Sequence, residues 1–130
     1  TIHGKTALVS TVNGPIGIGT MTPDTSYKLS VNGWIRSKKV VVESGWADYV
    51  LAQDYALPPL DSVQAYIRAH GHLPGVTPAR EVQAQGLDLG KAQTEMMAKI
   101  EELTLYLLQM KEENETLRKE LYEIKQQLED

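Results

Sequence analysis

The sequence predicts an α+β chain that assembles with copies of itself: short β-strands first, a small helical collar in the middle, and a coiled-coil helix at the end. Three observations carry this prediction. Apolar side chains recur at alternating spacings of four and three at Met96, Ile100, Leu103, Leu107, Met110, Leu117, Leu121, Ile124 and Leu128, with Asn114 in the one vacant slot. That period keeps a single stripe turned toward a partner helix, as in a coiled coil. The first third of the chain alternates apolar and polar residues between turn dipeptides, the pattern of short strands. Finally, a chain of 130 residues that gives its last part to a solvated coil has room for only one small globular portion. Much of that portion's apolar surface must therefore be buried between subunits. The expected divisions are a β-rich module over 1–43, a helical collar or connector over 44–90, and a coiled-coil oligomerisation helix over 91–130.

In the first region, Ala7, Leu8 and Val9 read as a strand ahead of Asn13-Gly14. Tyr27, Leu29 and Val31 alternate with polar residues ahead of Asn32-Gly33, a dipeptide suited to tight primed turns. Val40, Val41 and Val42 read as a further strand. The glycine-rich run Gly14 to Thr20 and Thr22-Pro23-Asp24 read as turns between strands. A sheet this small cannot bury both faces within one chain, so the β region is expected to be intertwined between subunits.

The middle region changes to helical signals. Asp61 is the expected N-cap of a helix carrying Gln64 three residues on and an apolar stripe of Val63, Tyr66 and Ile67, with Gly71 closing it. Thr77-Pro78 opens a second short helix that Gly86 ends. Asp88 starts the long helix. Between residues 97 and 108 this helix is apolar beyond its seam, at Met97, Leu105, Tyr106 and Leu108, so the short helices are expected to fold back over it as a collar.

The register of the long helix places Ile100, Leu107, Asn114, Leu121 and Leu128 at heptad position a, and Met96, Leu103, Met110, Leu117 and Ile124 at d. Glu113 and Glu120 fall at g, with Arg118 and Lys125 at the e positions five residues on. Parallel, in-register strands set these opposite charges against one another as interchain salt bridges. A lone Asn at a is costly unless it meets its counterpart across the axis, so Asn114 favours the parallel, unstaggered arrangement. Strand number stays open at this point: a single a-site Asn favours two strands, while Leu at a with Ile at d favours more.

Bulk properties exclude several classes. A net charge of −4 and a pI near 5.4 speak against nucleic acid or an anionic membrane as the main partner. No apolar run reaches transmembrane length and no signal-peptide pattern opens the chain. Thr1 in place of Met is expected of a processed or excised piece. The absence of Cys removes disulfides, zinc-thiolate sites and thiol catalysis together.

Two stretches stand out together. The first is Gly17-Ile18-Gly19-Thr20, Pro23, Tyr27-Lys28-Leu29, Val31-Asn32-Gly33 and Ile35. The second runs through Gly45-Trp46-Ala47-Asp48-Tyr49-Val50, Tyr55, Leu57-Pro58, His72-Leu73-Pro74-Gly75, Glu81-Val82, Gly86, Leu89-Gly90 and Lys99-Ile100-Glu101-Glu102-Leu103-Thr104-Leu105-Tyr106. Combined, they resemble the C-terminal region of Bacteroidetes-type tail-fibre-like and adhesin-like surface proteins. The resemblance covers roughly residues 14 to 110. It implies an elongated homotrimer wound about a threefold axis, and this sets the expected strand number at three. Some fibres of this broad class end in a self-cleaving chaperone domain marked by a stretch resembling Ser-Asp-x-Arg-x-Lys. None occurs here, and Ser37-Lys38-Lys39 is no substitute, so autoproteolysis is not expected.

Few residues suggest site chemistry. His70 and His72 form the one metal-like spacing; six imidazoles from three chains would suit an axial divalent ion. The plainer reading makes His70 a helix-terminal residue and His72 part of a turn, and no metal is expected. Gly14, Gly17 and Gly19 lack the spacing and following helix of a phosphate loop. Ser44, His72 and Asp48 make a triad only on paper, without a nucleophile elbow. Trp34, Trp46, Tyr49 and Tyr55 are candidates for a glycan-contacting patch, though packing is the commoner use of such residues. The stretch before the seam, Lys91 to Lys99, is not the basic region of a zipper transcription factor. The expected function is a structural one: trimerisation and nucleation of folding at the C-terminal end of an extracellular fibre or adhesin on a bacterial surface or phage-tail-like particle. The alternative is a receptor- or glycan-binding tip of the same fibre. The expected partner is the chain itself, with no enzyme activity, cofactor, nucleic acid or membrane insertion.

Overall fold

The structure, a computed structural model, describes Val9–Ser10 and residues 13–129, with side chains from Asn13 onward. It is an α+β chain that divides into two compact units, Thr1–Val41 and Val42–Asp130.

The first unit is a three-stranded sheet: β1 (Val9–Ser10), β2 (Ile16–Ile18) and β3 (Leu29–Val31), in that order. β1 runs antiparallel to β2, and β2 runs parallel to β3 with Ile16, Gly17 and Ile18 opposite Leu29, Ser30 and Val31. Asn13 takes a left-handed φ of 61° in the turn between β1 and β2, which is why an Asn-Gly pair serves there. Ala7 and Leu8 lie outside the described residues. The glycine-rich run differs from its reading as turns, because Ile16–Ile18 is a strand. Gly17 is its buried centre, and a Cβ there would stand 2.7 Å from the Thr20 carbonyl oxygen. Glycine is needed because the Thr20–Pro23 turn lies directly on the strand. Asn32 closes the unit: its backbone N–H donates to the Ile18 carbonyl at 2.9 Å and its amide to the Gly19 carbonyl at 3.2 Å. No strand follows Asn32-Gly33 to make a hairpin, and Val40–Val42 is not a strand despite its β-branched composition. Strand propensity needs a pairing neighbour, and these valines have none. Ile16, Ile18 and Leu29 stay exposed, so the described residues of this unit are held by backbone bonds and local turns such as Asp24 Oδ1 accepting from the Ser26 N–H at 2.8 Å, and among them there is no packed apolar interior.

The second unit holds a 3-10 turn (Asp48–Leu51) and three helices: α1 (Leu60–His70), α2 (Ala79–Gln85) and α3 (Leu89–Glu129). α3 has 41 residues and a length of about 60 Å at 1.5 Å per residue. Its start is capped as expected, with Asp88 Oδ1 accepting the Lys91 N–H at 2.9 Å. The short helices begin differently from expectation. α1 starts directly after Pro59, whose carbonyl accepts from Ser62 and Val63, and Asp61 lies in the first turn rather than capping it. Pro78 precedes α2, and the Thr77 hydroxyl is drawn away to Glu95. Gly71 and Gly86 end the two helices as predicted.

The packed interior is small. Val50 of the 3-10 turn and Ala47 just before it sit on Ala98 of α3, with Tyr55, Met97 and Leu105 around them. Gly90 lets the chain cross α3 closely at Val42 and Ser44, since a Cβ there would be 2.9 Å from Val42 Cγ1. The collar is therefore built from the 3-10 turn and the extended chain after it. The expected cover by the short helices is corrected: neither α1 nor α2 has a buried residue, and no Cα of α1 lies within 8 Å of a Cα of α3.

Candidate functional site

α3 presents two opposed faces. On one, Ala98, Glu101, Glu102 and Tyr106 are buried and Thr94, Glu95 and Leu105 half-buried beneath the chain's own cover. On the other, all nine apolar seam residues from Met96 to Leu128 are at least 53% exposed, Ile124 the least and Leu128 the most. From Leu107 to Glu129 every residue is exposed. Around Asn114 a recess of about 460 Å³ is lined by Leu107, Met110, Lys111, Asn114, Glu115 and Arg118, all from α3.

Among the described residues, Glu113, Arg118, Glu120 and Lys125 form no ion pair within the chain; the lower helix has instead Lys111–Glu115 at 3.0 Å, exposed on both sides. Such a pair contributes about 0.3–0.5 kcal/mol.

A polar cluster fixes the collar to α3. Glu102 Oε1 accepts the Tyr55 hydroxyl at 2.6 Å, and its Oε2 accepts from Lys99 Nζ at 2.7 Å. The Tyr106 hydroxyl donates to the Pro58 carbonyl at 2.7 Å. Glu95 receives both the backbone N–H and the hydroxyl of Thr77, at 2.9 and 2.7 Å. The anchors Glu95, Lys99, Glu102 and Tyr106 recur at spacings of four, three and four, so they share one flank of the helix. Hydrogen bonding to the Glu102 carboxylate, then burial and the same negative charge, push the Tyr55 hydroxyl up to about 12. Burial and Glu102 also raise Tyr106. Burial pushes Glu95 upward, but the two Thr77 bonds and the Lys91 charge outweigh it and hold the carboxyl below its ordinary value. The groups satisfy one another, so the cluster acts as a latch between distant parts of the chain. Glu101 is the exception: it is buried and its Oε2 has no partner among the described residues.

Of the four aromatic candidates, the structure brings Tyr49 and Tyr55 together, ring centres 6.1 Å apart and tilted by 59°, at the edge of a recess of about 280 Å³ that also includes Pro74, Lys99 and Glu102. Trp46 is exposed elsewhere on the same unit, and Trp34 is fully exposed on the first unit. His70 and His72 gather around Tyr66, His70 stacked at 4.1 Å and His72 edge-on at 5.5 Å. Their Nδ1 atoms face the carbonyls of Tyr66 and Leu73 at 3.0 and 2.9 Å, so each Nδ1 carries the donated proton. Among the described residues no group of three or more His, Cys, Asp or Glu side chains is placed to hold a metal ion. The sequence marked Tyr106 for cover and Thr77 as a helix start, but it did not single out Glu95, Lys99 and Glu102 or read any of the five as hydrogen-bonding anchors, although the four-three recurrence on α3 was a usable signal.

No family model, no curated protein and no solved structure matches the chain.

Proposed function

We propose that this chain is a trimerisation and folding-nucleation module at the C-terminal end of a bacterial or phage-like tail fibre or adhesin. One observation carries the reading: α3 is covered by its own chain on the latch side and left bare along its whole heptad seam. Fully burying a Leu, Ile or Met side chain is worth about 1.5–3 kcal/mol, so nine such residues in one stripe favour association strongly. Asn114 sets a parallel register, and Glu113 and Glu120 are then free to meet Arg118 and Lys125 of neighbouring copies. The helix forms from local contacts and brings three chains into line. That alignment lowers the entropic cost of the non-local β pairing upstream, where the first unit has exposed apolar strands to bury against neighbours. A fibre of this kind works outside the cell. Sedimentation equilibrium tests the reading: a trimer supports it, and a monomer, dimer or tetramer at micromolar concentration refutes it.

A second reading, a glycan-contacting tip, is favoured by the exposed Tyr49 beside Tyr55 over an open recess, since aromatic faces suit sugar rings. Binding on a glycan array that is lost in Tyr49→Ala would support it; an empty array would remove it.

A further inference from the structure

We infer that the recess at Tyr49 and Tyr55 is a binding site for a single neutral sugar ring, with Lys99 and Glu102 reading adjacent hydroxyls of that ring. The inference rests on the glycan-contacting reading and names the ligand class that such a contact would select. Three parts of the chain line the recess: Tyr49 of the 3-10 turn and Tyr55 after it, Pro74 and Gly75 of the turn that follows α1, and α3. Its volume of about 280 Å³ falls below the roughly 300–1,000 Å³ that takes a drug-sized molecule, which leaves room for one ring and not for a chain. Gly75 keeps Lys99 within reach. It takes a left-handed φ of 71°, and a Cβ there would stand 3.6 Å from Lys99 Nζ, so any longer side chain would lie over the ammonium.

A sugar hydroxyl donates and accepts at once, and the recess has unused capacity of both kinds. An ammonium has three N–H donors and a carboxylate about four lone-pair sites. Among the described residues Lys99 Nζ uses one donor, on Glu102, and the Glu102 carboxylate fills two sites, with Tyr55 and Lys99. Lys99 Nζ and Glu102 Oε2 stand 2.7 Å apart, so one hydroxyl of a ring can accept from the first while its neighbour donates to the second. The two side chains are only 17% and 11% exposed, and charge-assisted hydrogen bonds so far from bulk water are the stronger kind. Tyr49, exposed at the same recess, supplies an aromatic face for the C–H side of the ring. Charge sets the class of sugar. The lining carries two carboxylates, Glu95 and Glu102, against one ammonium, Lys99, so an acidic sugar is repelled. Position keeps the site available: Glu95 and Glu102 fall at heptad position c and Ala98 at f, opposite the a and d seam, so the proposed assembly leaves the recess open and presents three of them on its outer side.

Saturation-transfer NMR on the intact chain with methyl α-glucoside, methyl α-mannoside and methyl β-galactoside tests the site. At least one should bind, with a dissociation constant on the order of millimolar, the strength expected of so small a molecule in an open recess. Methyl β-glucuronide, which carries a carboxylate, should show no transfer. Tyr49→Ala changes an exposed residue outside the latch and should weaken binding about tenfold with Tm unchanged. Lys99→Met should weaken it at least as much; should that variant lose its fold, Tyr49→Ala decides alone. Binding that survives Tyr49→Ala undiminished, or a glucuronide that binds as well as the neutral glycosides, would overturn the inference. So would the absence of transfer to all three neutral glycosides. A glycan array that still shows binding would then leave the glycan-contacting reading standing on another surface, and an empty array would remove both.

Discussion

The upper and lower parts of α3 are the same helix under different constraints. From Gly90 to Tyr106 one flank is fixed by Ala47, Val50, Tyr55 and Pro58 of the same chain, while from Leu107 to Glu129 every residue is exposed. The upper part is thus ordered by contacts that a single chain supplies, and the lower part has only its own hydrogen bonds and weak surface pairs. The continuous seam is the one feature the two parts share. The difference teaches that the chain builds a platform on one face of a helix and leaves the other face bare along its full length, the face to which the proposed assembly assigns copies of the chain.

Charges in the seam should break this arrangement most severely. Leu103→Asp with Leu107→Asp would bury unpaired carboxylates in the seam where the two parts meet and should yield monomers by sedimentation. Removing residues 111–130 should cost less, leaving a weaker trimer, while removing 96–130 also takes away the latch and should leave monomers whose strand region is disordered. A well-dispersed NMR spectrum from a monomeric 1–90 fragment would contradict the dependence of the first unit on assembly.

Loss of the latch should be the next largest effect. Tyr55→Phe removes a hydrogen bond to a carboxylate and should cost about 1.5–3 kcal/mol in chemical denaturation. The same bond makes stability fall at high pH. Tyr55 has a folded-state value raised to about 12 from 10.0, so its contribution is complete below pH 10 and disappears as pH rises toward 12. Ultraviolet titration should find Tyr55 and Tyr106 both titrating late, and Glu102→Gln should move Tyr55 back toward 10.0. Glu95 works in the opposite direction. Its value is lowered on folding, so its contribution is present above the unfolded carboxyl range and is lost as acid protonates the folded form. Thr77→Val should flatten that acid limb.

Smaller effects sharpen the account of the lower helix. Asn114→Leu should raise Tm by replacing a buried polar layer while loosening the strand number; a lower Tm would mean that Asn114 makes contacts this register lacks. Lys111→Ala should change stability by no more than about 0.5 kcal/mol, because its partner Glu115 is exposed.

Legibility in the sequence followed the range of the interactions. α3 was readable almost in full, since heptad period and the Asp88 cap are local signals. The alternation of Tyr27, Leu29 and Val31 marked β3 for the same reason. β2 was not readable: Gly-Ile-Gly looks like a turn until Leu29–Val31 pairs beside it. Val40–Val42 failed in the opposite sense, having strand composition without a neighbour. The Asp61 cap was misplaced because Pro59, fixed in an extended conformation, lets the helix begin immediately after it. The latch was hidden by distance, with Tyr55 and Glu102 separated by 47 positions in the chain, even though its α3 half repeats every three or four residues.

Sedimentation equilibrium of the intact chain at micromolar concentration is the most direct test of the central claim that the bare seam is filled by two further copies. The account predicts one species with the mass of three 14.4 kDa chains. A stable monomer would contradict it outright, because the seam would then be exposed in solution with nothing to bury it, and a dimer or tetramer would refute the threefold assembly.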